Sequence, residues 1–215
     1  MRSLLLLVFA VVLLGPSVLS ATTIDFEGLP SGLCRSIGQS VDTQDFRFTS
    51  GNGSGLFSCN ASASNNVGAN TSRALLDANN SAGASNPLMA RIDGQPFDLL
   101  MFDAVSRFQP SFPSIIPATA VEVVGTISGG GTVSAVFDLD GNNETTLVLP
   151  AGFSDLISVS FLGLHDPNAE FLIDNVVVVP EPSTALLLAI GLFGFVGSAA
   201  QQRRVHESPI GGIDR

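Results

Sequence analysis

Between residues 120 and 139 the side chains alternate. In "TVSAVFDLD" Val133, Ala135, Phe137 and Leu139 fall on one face, with Ser134 and Asp138 on the other. In "AVEVVGTI" Val121, Val123 and Ile127 share one side, opposite Glu122 and Thr126. A period of two is the repeat of a strand with one wet face, and a helix cannot sort such a sequence into an inside and an outside. The same rhythm, or a short apolar run bounded by turn residues, recurs at Thr22–Phe26, Phe46–Thr49, Leu88–Ile92, Phe97–Val105, Thr145–Leu149, Leu156–Leu164 and Glu170–Val179. In the last of these, "FLIDNVVVV", the second half is apolar throughout, which predicts a central strand partly covered on both faces. No stretch of residues 21–179 carries a sustained 3.6-residue stripe; only "TSRALLDANN", around Arg73 to Asp77, leaves room for a helical turn or two. Short strands at regular spacing, separated by turns such as "SGGG" and "DGNN", predict an all-β fold, an antiparallel jelly-roll β-sandwich over residues 22–179.

The large core side chains of that sandwich must come from phenylalanine. The chain has 15 Phe and neither Trp nor Tyr, so its aromatic core contains no polar atom in need of a partner. Residues 50–86 depart from the pattern. "SGNGSGLFSCNASASNNVGANTS" is dominated by Gly, Ser, Asn and Ala, and predicts a long surface excursion that buries little. Its Asn-x-Ser/Thr triplets, at Asn52, Asn60, Asn70 and Asn79, are what chance produces in such a composition and are not read as glycan sites.

Both ends of the chain are apolar. Arg2 followed by the run Leu4 to Leu14 and the small residues near Ser20 reads as a signal peptide over residues 1–20, with an uncleaved anchor as the alternative. Near the other end, Thr184 to Ala200 offers 17 mostly apolar residues without a charge, short but sufficient for a transmembrane helix. Arg203 and Arg204 follow at once, which orients residues 205–215 as a cytoplasmic tail and leaves the sandwich outside. Pro180 and Pro182 interrupt any strand or helix before the span, so an extended tether carrying Glu181 is expected at the membrane surface.

Charge narrows the partners further. Residues 21–179 contain five arginines, no lysine and sixteen acids, a formal −11. Such a surface repels nucleic acid, and no nucleic-acid partner is expected. In an exported chain the pair Cys34 and Cys59 reads as a disulfide, closing a loop worth about 3 kcal/mol. A metal-binding pair is the alternative, but the one histidine outside the tail, His165, is distant in sequence.

"VPEPSTALLLAIGLFGFVGSAAQQRR" resembles the PEP-CTERM sorting signal of Gram-negative bacteria, whose three parts are Pro-Glu-Pro, an apolar helix and a basic cluster. All three stand in order, at Pro180–Pro182, at residues 184–200, and at Arg203 and Arg204, so the signal spans residues 180–204. The resemblance implies a substrate of an exosortase, a membrane-embedded transpeptidase-like cysteine protease, in an organism that makes exopolysaccharide. It implies export through the inner membrane to the cell surface or extracellular matrix. One departure is the continuation "VHESPIGGIDR", since such signals usually stop soon after the basic cluster.

A second resemblance joins "TIDFEGLP" to "FLIDNVVVV". Domains of this sorted group, and jelly-roll carbohydrate-binding modules, often open on a Phe-Asp/Glu strand and close on an Asp-Asn-Val/Ile strand. In those modules the two strands lie together and their acids hold a structural Ca²⁺. Carried over, the ligands would be Glu27 and Asp174, with Asp25 as a further candidate; the alternative is a solvated Glu27 and an Asp174 that caps a strand. "FDLDGNNE" lacks the remaining ligands of a calcium loop and reads as a hairpin turn.

For catalysis there is no Gly-x-Ser-x-Gly elbow, and sixteen acids allow many carboxylate pairs without singling one out. The sandwich suggests sugar binding, but sugar platforms lean on Trp and Tyr, which are missing. "SRFQPSFPSIIP" offers a possible ligand loop instead, with Arg107, Phe108, Gln109 and Phe112. The expected function is a non-catalytic structural or adhesive role in an exopolysaccharide layer. The alternatives are a carbohydrate-binding module and a glycoside-hydrolase-like enzyme.

Overall fold

The computed structural model divides the chain into two compact units, Ser20–Glu181 and a second made of Met1–Leu19 with Pro182–Arg215. It describes residues 20–30, 34–60, 73–77, 85–106, 116–141, 143–164 and 169–180. The expected signal peptide (but for Ser20), transmembrane helix and cytoplasmic tail lie outside the described residues. Among those described, no helix is long and apolar enough to cross a membrane.

The first unit is all β. One layer runs in the order β2 (Cys34–Gly38), β5 (Leu56–Asn60), β6 (Arg73–Asp77), β14 (Ala169–Pro180), β8 (Phe97–Ser106) and β12 (Thr145–Val148). β1 (Thr22–Ile24) joins it along Val176–Val178 of β14. The other layer runs β3 (Ser40–Thr43), β4 (Phe46–Ser50), β7 (Pro87–Arg91), β13 (Leu156–Leu164), β10 (Ala120–Ile127) and β11 (Thr132–Asp138). A two-residue strand, β9 (Ile116–Pro117), lies parallel to the start of β14. The layers meet in register at one pair, Leu156 and Phe97. Elsewhere they enclose the core, and the chain crosses between them from β2 to β3, β4 to β5, β6 to β7, β7 to β8, β8 to β10, and at each step from β11 to β14.

Phenylalanine fills the space between the layers as the composition requires. Phe102 of β8 meets Phe161 of β13 edge-on at 5.0 Å and Phe137 of β11 at 6.4 Å. Phe97 of β8 meets Phe46 of β4 at 5.1 Å, and Phe26 meets Phe48 at 5.2 Å. Each pair is T-shaped, the geometry that sets the positive edge of one ring against the negative face of another. The alternation in the sequence matches this core. Val121, Val123 and Phe161 are fully buried, whereas Ser134, Val136 and Asp138 are exposed.

Two expectations fail, both between residues 50 and 86. This stretch contains β5 and β6, and it buries Leu56, Cys59, Leu75 and Leu76 completely. The run Arg73–Asp77, expected to allow a helical turn, is a strand. The physical reason is a second apolar cluster on the outer side of the first layer, made of Cys59, Ala74, Leu76, Val105 and Leu172, with Cys34 and Phe57 against it. Leu75 faces the main core while Ala74 and Leu76 face this cluster. A strand covered on both faces loses its alternation and cannot be told from a helical turn by period alone.

Cys34 and Cys59 stand directly opposite each other in the β2–β5 pairing, with Cα atoms 4.1 Å apart, and are joined as a disulfide. The bridge ties the outermost strand of the layer to its neighbour. Replacing both cysteines by serine is expected to lower unfolding stability by about 3 kcal/mol, read as a shift in the urea midpoint.

Candidate functional site

Two of the residues singled out in the sequence, Asp174 and Pro180, lie on β14. Its length follows from its neighbours. β8 pairs with it from Phe171 to Pro180, and β6 and β1 take the other edge at Ile173 and at Val176–Val178. The first and last strands are therefore adjacent, as the resemblance to binding modules implies. Pro180 is the final residue of the strand, opposite Phe97. A proline has no N–H to give a ladder and is tolerated at such a terminus. The sorting tripeptide therefore begins inside the folded sheet, with no linker before it. Glu181, Pro182, Arg203 and Arg204 lie outside the described residues.

Midway along β14 the register shifts between Asp174 and Val177, and Asn175 takes a positive φ of 46°. Left-handed backbone suits Asn better than most residues, because its short amide bonds locally. The bulge changes which side chains face inward: Ile173 lies in the core before it, Val176 and Val178 after it. In the regular register before the bulge, Asp174 stands directly opposite Asp103 of β8. Asp174 is buried and accepts from the Asn175 N–H at 2.8 Å. Asp103 accepts from Asn175 Nδ2 at 2.9 Å and from Thr146 Oγ1 at 2.5 Å. Two carboxylates facing each other across a ladder repel, and these hydrogen bonds offset part of that cost.

The calcium candidates have separate partners. Glu27 is exposed, and its Oε1 accepts from the Arg73 backbone N–H at 2.8 Å. The Arg73 guanidinium donates through Nη1 to the carbonyls of both Glu27 and Leu29. Asp25 accepts from Gln44 Nε2 at 3.4 Å. Among the described residues no group of three or more His, Cys, Asp or Glu is placed to hold a metal ion. The positive charge beside Glu27 is thus Arg73, and a calcium ion using these carbonyls would have to displace a guanidinium. That donor set fits an arginine better than a cation with six to eight oxygen ligands.

Asp77, at the end of β6, is a fully buried acid that the sequence did not mark. It accepts from Ser50 Oγ at 2.7 Å, from the Gly51 N–H at 3.2 Å and from the Asn86 N–H at 3.3 Å. It therefore pins the chain leaving β4 to the chain entering β7. Burial pushes its carboxyl above the ordinary value, against the lowering effect of these hydrogen bonds.

Arg107, Phe108, Gln109 and Phe112 lie outside the described residues, as does His165. Among the residues described, the exposed large apolar side chains are all aliphatic, including Leu88, Val136 and Val148. Arg73, Asp77 and Asp103 are the site residues that sequence reasoning missed. Arg73 had one available signal, being one of only five arginines in the folded segment. Asp77 and Asp103 had none, because their neighbours are remote in sequence.

Residues 178–204 match the PEP-CTERM protein-sorting motif. The motif marks the chain as exported and sorted to the cell surface. No curated protein matches the chain. Among solved structures, the chain is similar to the K2 cleaved adhesin domain of Lys-gingipain, at 11% identity and a TM-score of 0.42, covering 75% of this chain and 100% of that one. It is similar to a family 29 carbohydrate-binding module at 13% identity and a TM-score of 0.39, over 74% and 87% of the two chains. It is also similar to TmCBM61 in complex with β-1,4-galactotriose, at 10% identity and a TM-score of 0.36, over 64% and 90% of the two chains.

Two measurements check the site. Arg73→Met is expected to destabilise the protein by about 1 kcal/mol through the lost hydrogen bonds to the Glu27 and Leu29 carbonyls, while a chelator leaves the wild-type melting temperature unchanged. A drop on adding chelator would return calcium to Glu27 and Asp174. For Asp77 the folded pKa lies above the unfolded one, so the native state takes up its proton first. Its contribution to stability is fully present below about pH 3.8 and is lost as pH rises through the folded value. Wild type is therefore expected to gain stability relative to Asp77→Asn as the pH is lowered towards 4, and a parallel pair of curves would contradict it.

Proposed function

We propose that this chain is a non-catalytic protein of the cell surface or extracellular matrix, handled by an exosortase at Pro180-Glu181-Pro182 and serving a structural or adhesive role in an exopolysaccharide layer. The observation that carries the reading is the sorting motif at residues 178–204, whose first residues are the end of β14. A motif whose first residues belong to a central strand ties the sorting signal directly to the sandwich as its cargo. The acidic, lysine-free composition of the sandwich suits an exported protein in a cation-rich setting. The proposed route passes through the inner membrane of a Gram-negative bacterium, with residues 184–200 holding the chain while it is processed.

Expressed at full length in a bacterium that contains an exosortase, the wild-type chain is expected to lose its C-terminal segment and leave the inner-membrane fraction. A variant with Ala at 180, 181 and 182 is expected to remain at full length in that membrane. Equal processing of the two would remove the sorting assignment. Retention of the processed protein on defined polysaccharides would shift the reading from a structural role to carbohydrate binding.

A further inference from the structure

Four strands form the outer edges of the two layers, and three carry a feature that discourages pairing. β3 has Asp42 within its four residues, β2 has Arg35, and β12 is four residues long. β11 is longer than β3 or β12, and its one charge, Asp138, stands at its last position rather than within it. Its seven residues, "TVSAVFD", contain no Pro, no Gly and no basic residue, with one charge at the end. It pairs with β10 over seven consecutive positions without a bulge, and no described strand takes its other side. Natural edge strands are normally blunted by lysine, proline, bulges or shortness.

The direction of its backbone groups follows from the ladder. The Ile127 N–H donates to the Gly131 carbonyl at 3.1 Å, and the Leu139 N–H to the Thr119 carbonyl at 2.8 Å. Both bonds continue the register in which Val123 faces Ala135. Bonded and non-bonded pairs alternate in an antiparallel ladder, so Val133, Ala135 and Phe137 bond to β10. The N–H and C=O groups of Thr132, Ser134, Val136 and Asp138 therefore point away from the sheet. The core is also open here: Val133, Ala135 and Phe137 pack against it but remain half-buried, and Val136 is 58% exposed.

We propose that β11 pairs with β11 of a second copy of this chain, antiparallel, about a two-fold axis at Ala135. In that register Thr132 faces Asp138, Val133 faces Phe137, Ser134 faces Val136 and Ala135 faces itself. All seven residues pair, and the outward groups at 132, 134, 136 and 138 become the hydrogen-bonded set. Two Val–Phe pairs, of the kind that stabilises neighbouring strands, close the open margin of each core. No charge meets a like charge. The two Asp138 side chains stand about 20 Å apart at strand spacing, beyond a screening length of about 8 Å at physiological salt. The contact is isologous and so stops at a dimer. It uses no residue of the sorting motif.

Cysteine cross-linking and mass measurement test this on the full-length chain in mild detergent. Ala135→Cys places two thiols across a non-bonded pair with Cα atoms about 4.5 Å apart, within disulfide reach. Mild oxidation is expected to convert most of this variant to a covalent dimer, at least tenfold faster than Ser134→Cys. Val136→Pro removes an outward N–H that bonds nothing within the sandwich, so it is expected to keep the fold and halve the mass seen by light scattering corrected for detergent. A monomeric wild type, or Ala135→Cys that cross-links no faster than Ser134→Cys, would overturn the pairing. So would a wild-type monomer that loses a copurifying macromolecule on Val136→Pro, which would assign the edge to another partner. If Val136→Pro unfolds, the cross-linking rates decide alone. Neither readout depends on processing, so failure here leaves the sorting assignment untouched.

Discussion

β14 is paired along both edges, and its side chains are covered on both faces. Phe171, Ile173, Val176 and Val178 enter the core between the layers, while Leu172 belongs to the apolar cluster outside. Burial on two faces removes more apolar surface from water than an ordinary half-wet strand can. The same strand receives the first strand of the fold, faces Asp103 with Asp174, and ends in the proline that opens the sorting motif. Loosening it would separate β1, β6 and β8 together. Its central position explains how a small domain with a polar, Gly- and Asn-rich middle still encloses a continuous core.

The choice of side chains follows from that crowding. Between two sheets with short connections, phenylalanine gives large contact area without a hydroxyl or indole N–H to satisfy. Four edge-on ring pairs span or line the core. The fully buried Asp77 is tied to the Ser50 hydroxyl and to the backbone N–H groups of Gly51 and Asn86. Positive charge is scarce enough that Arg73 acts as a structural cation, holding two carbonyls beside Glu27.

The readable part of the sequence was the part with one wet face. β10 and β13 begin and end where the alternation does, and β11 ends one residue short of it. β5 and β6 were hidden, because Leu75 is claimed by the inner core and Ala74 and Leu76 by the outer cluster. The disulfide was legible from compartment and count, yet its position in the pairing of β2 with β5 was not. Asp174 stood out by its resemblance to an acidic closing strand. Its partner Asp103 did not, since only the register of β8 against β14 brings the two together.

The amino-acid sequence by itself determined an exported address, a strand-built middle, a phenylalanine core and an acidic surface, because each depends on composition or on spacing within a few residues. The tertiary structure alone decided which strand is buried on both faces, that the Arg73 guanidinium donates to the carbonyls of Glu27 and Leu29, and that no described strand takes the outer side of β11. Those outcomes depend on contacts between residues far apart in the chain, and local period has no term for them. The sorting motif joins the two kinds of information. Its residues are readable in order, but only the pairing of Pro180 with Phe97 shows that the label begins inside the fold it delivers.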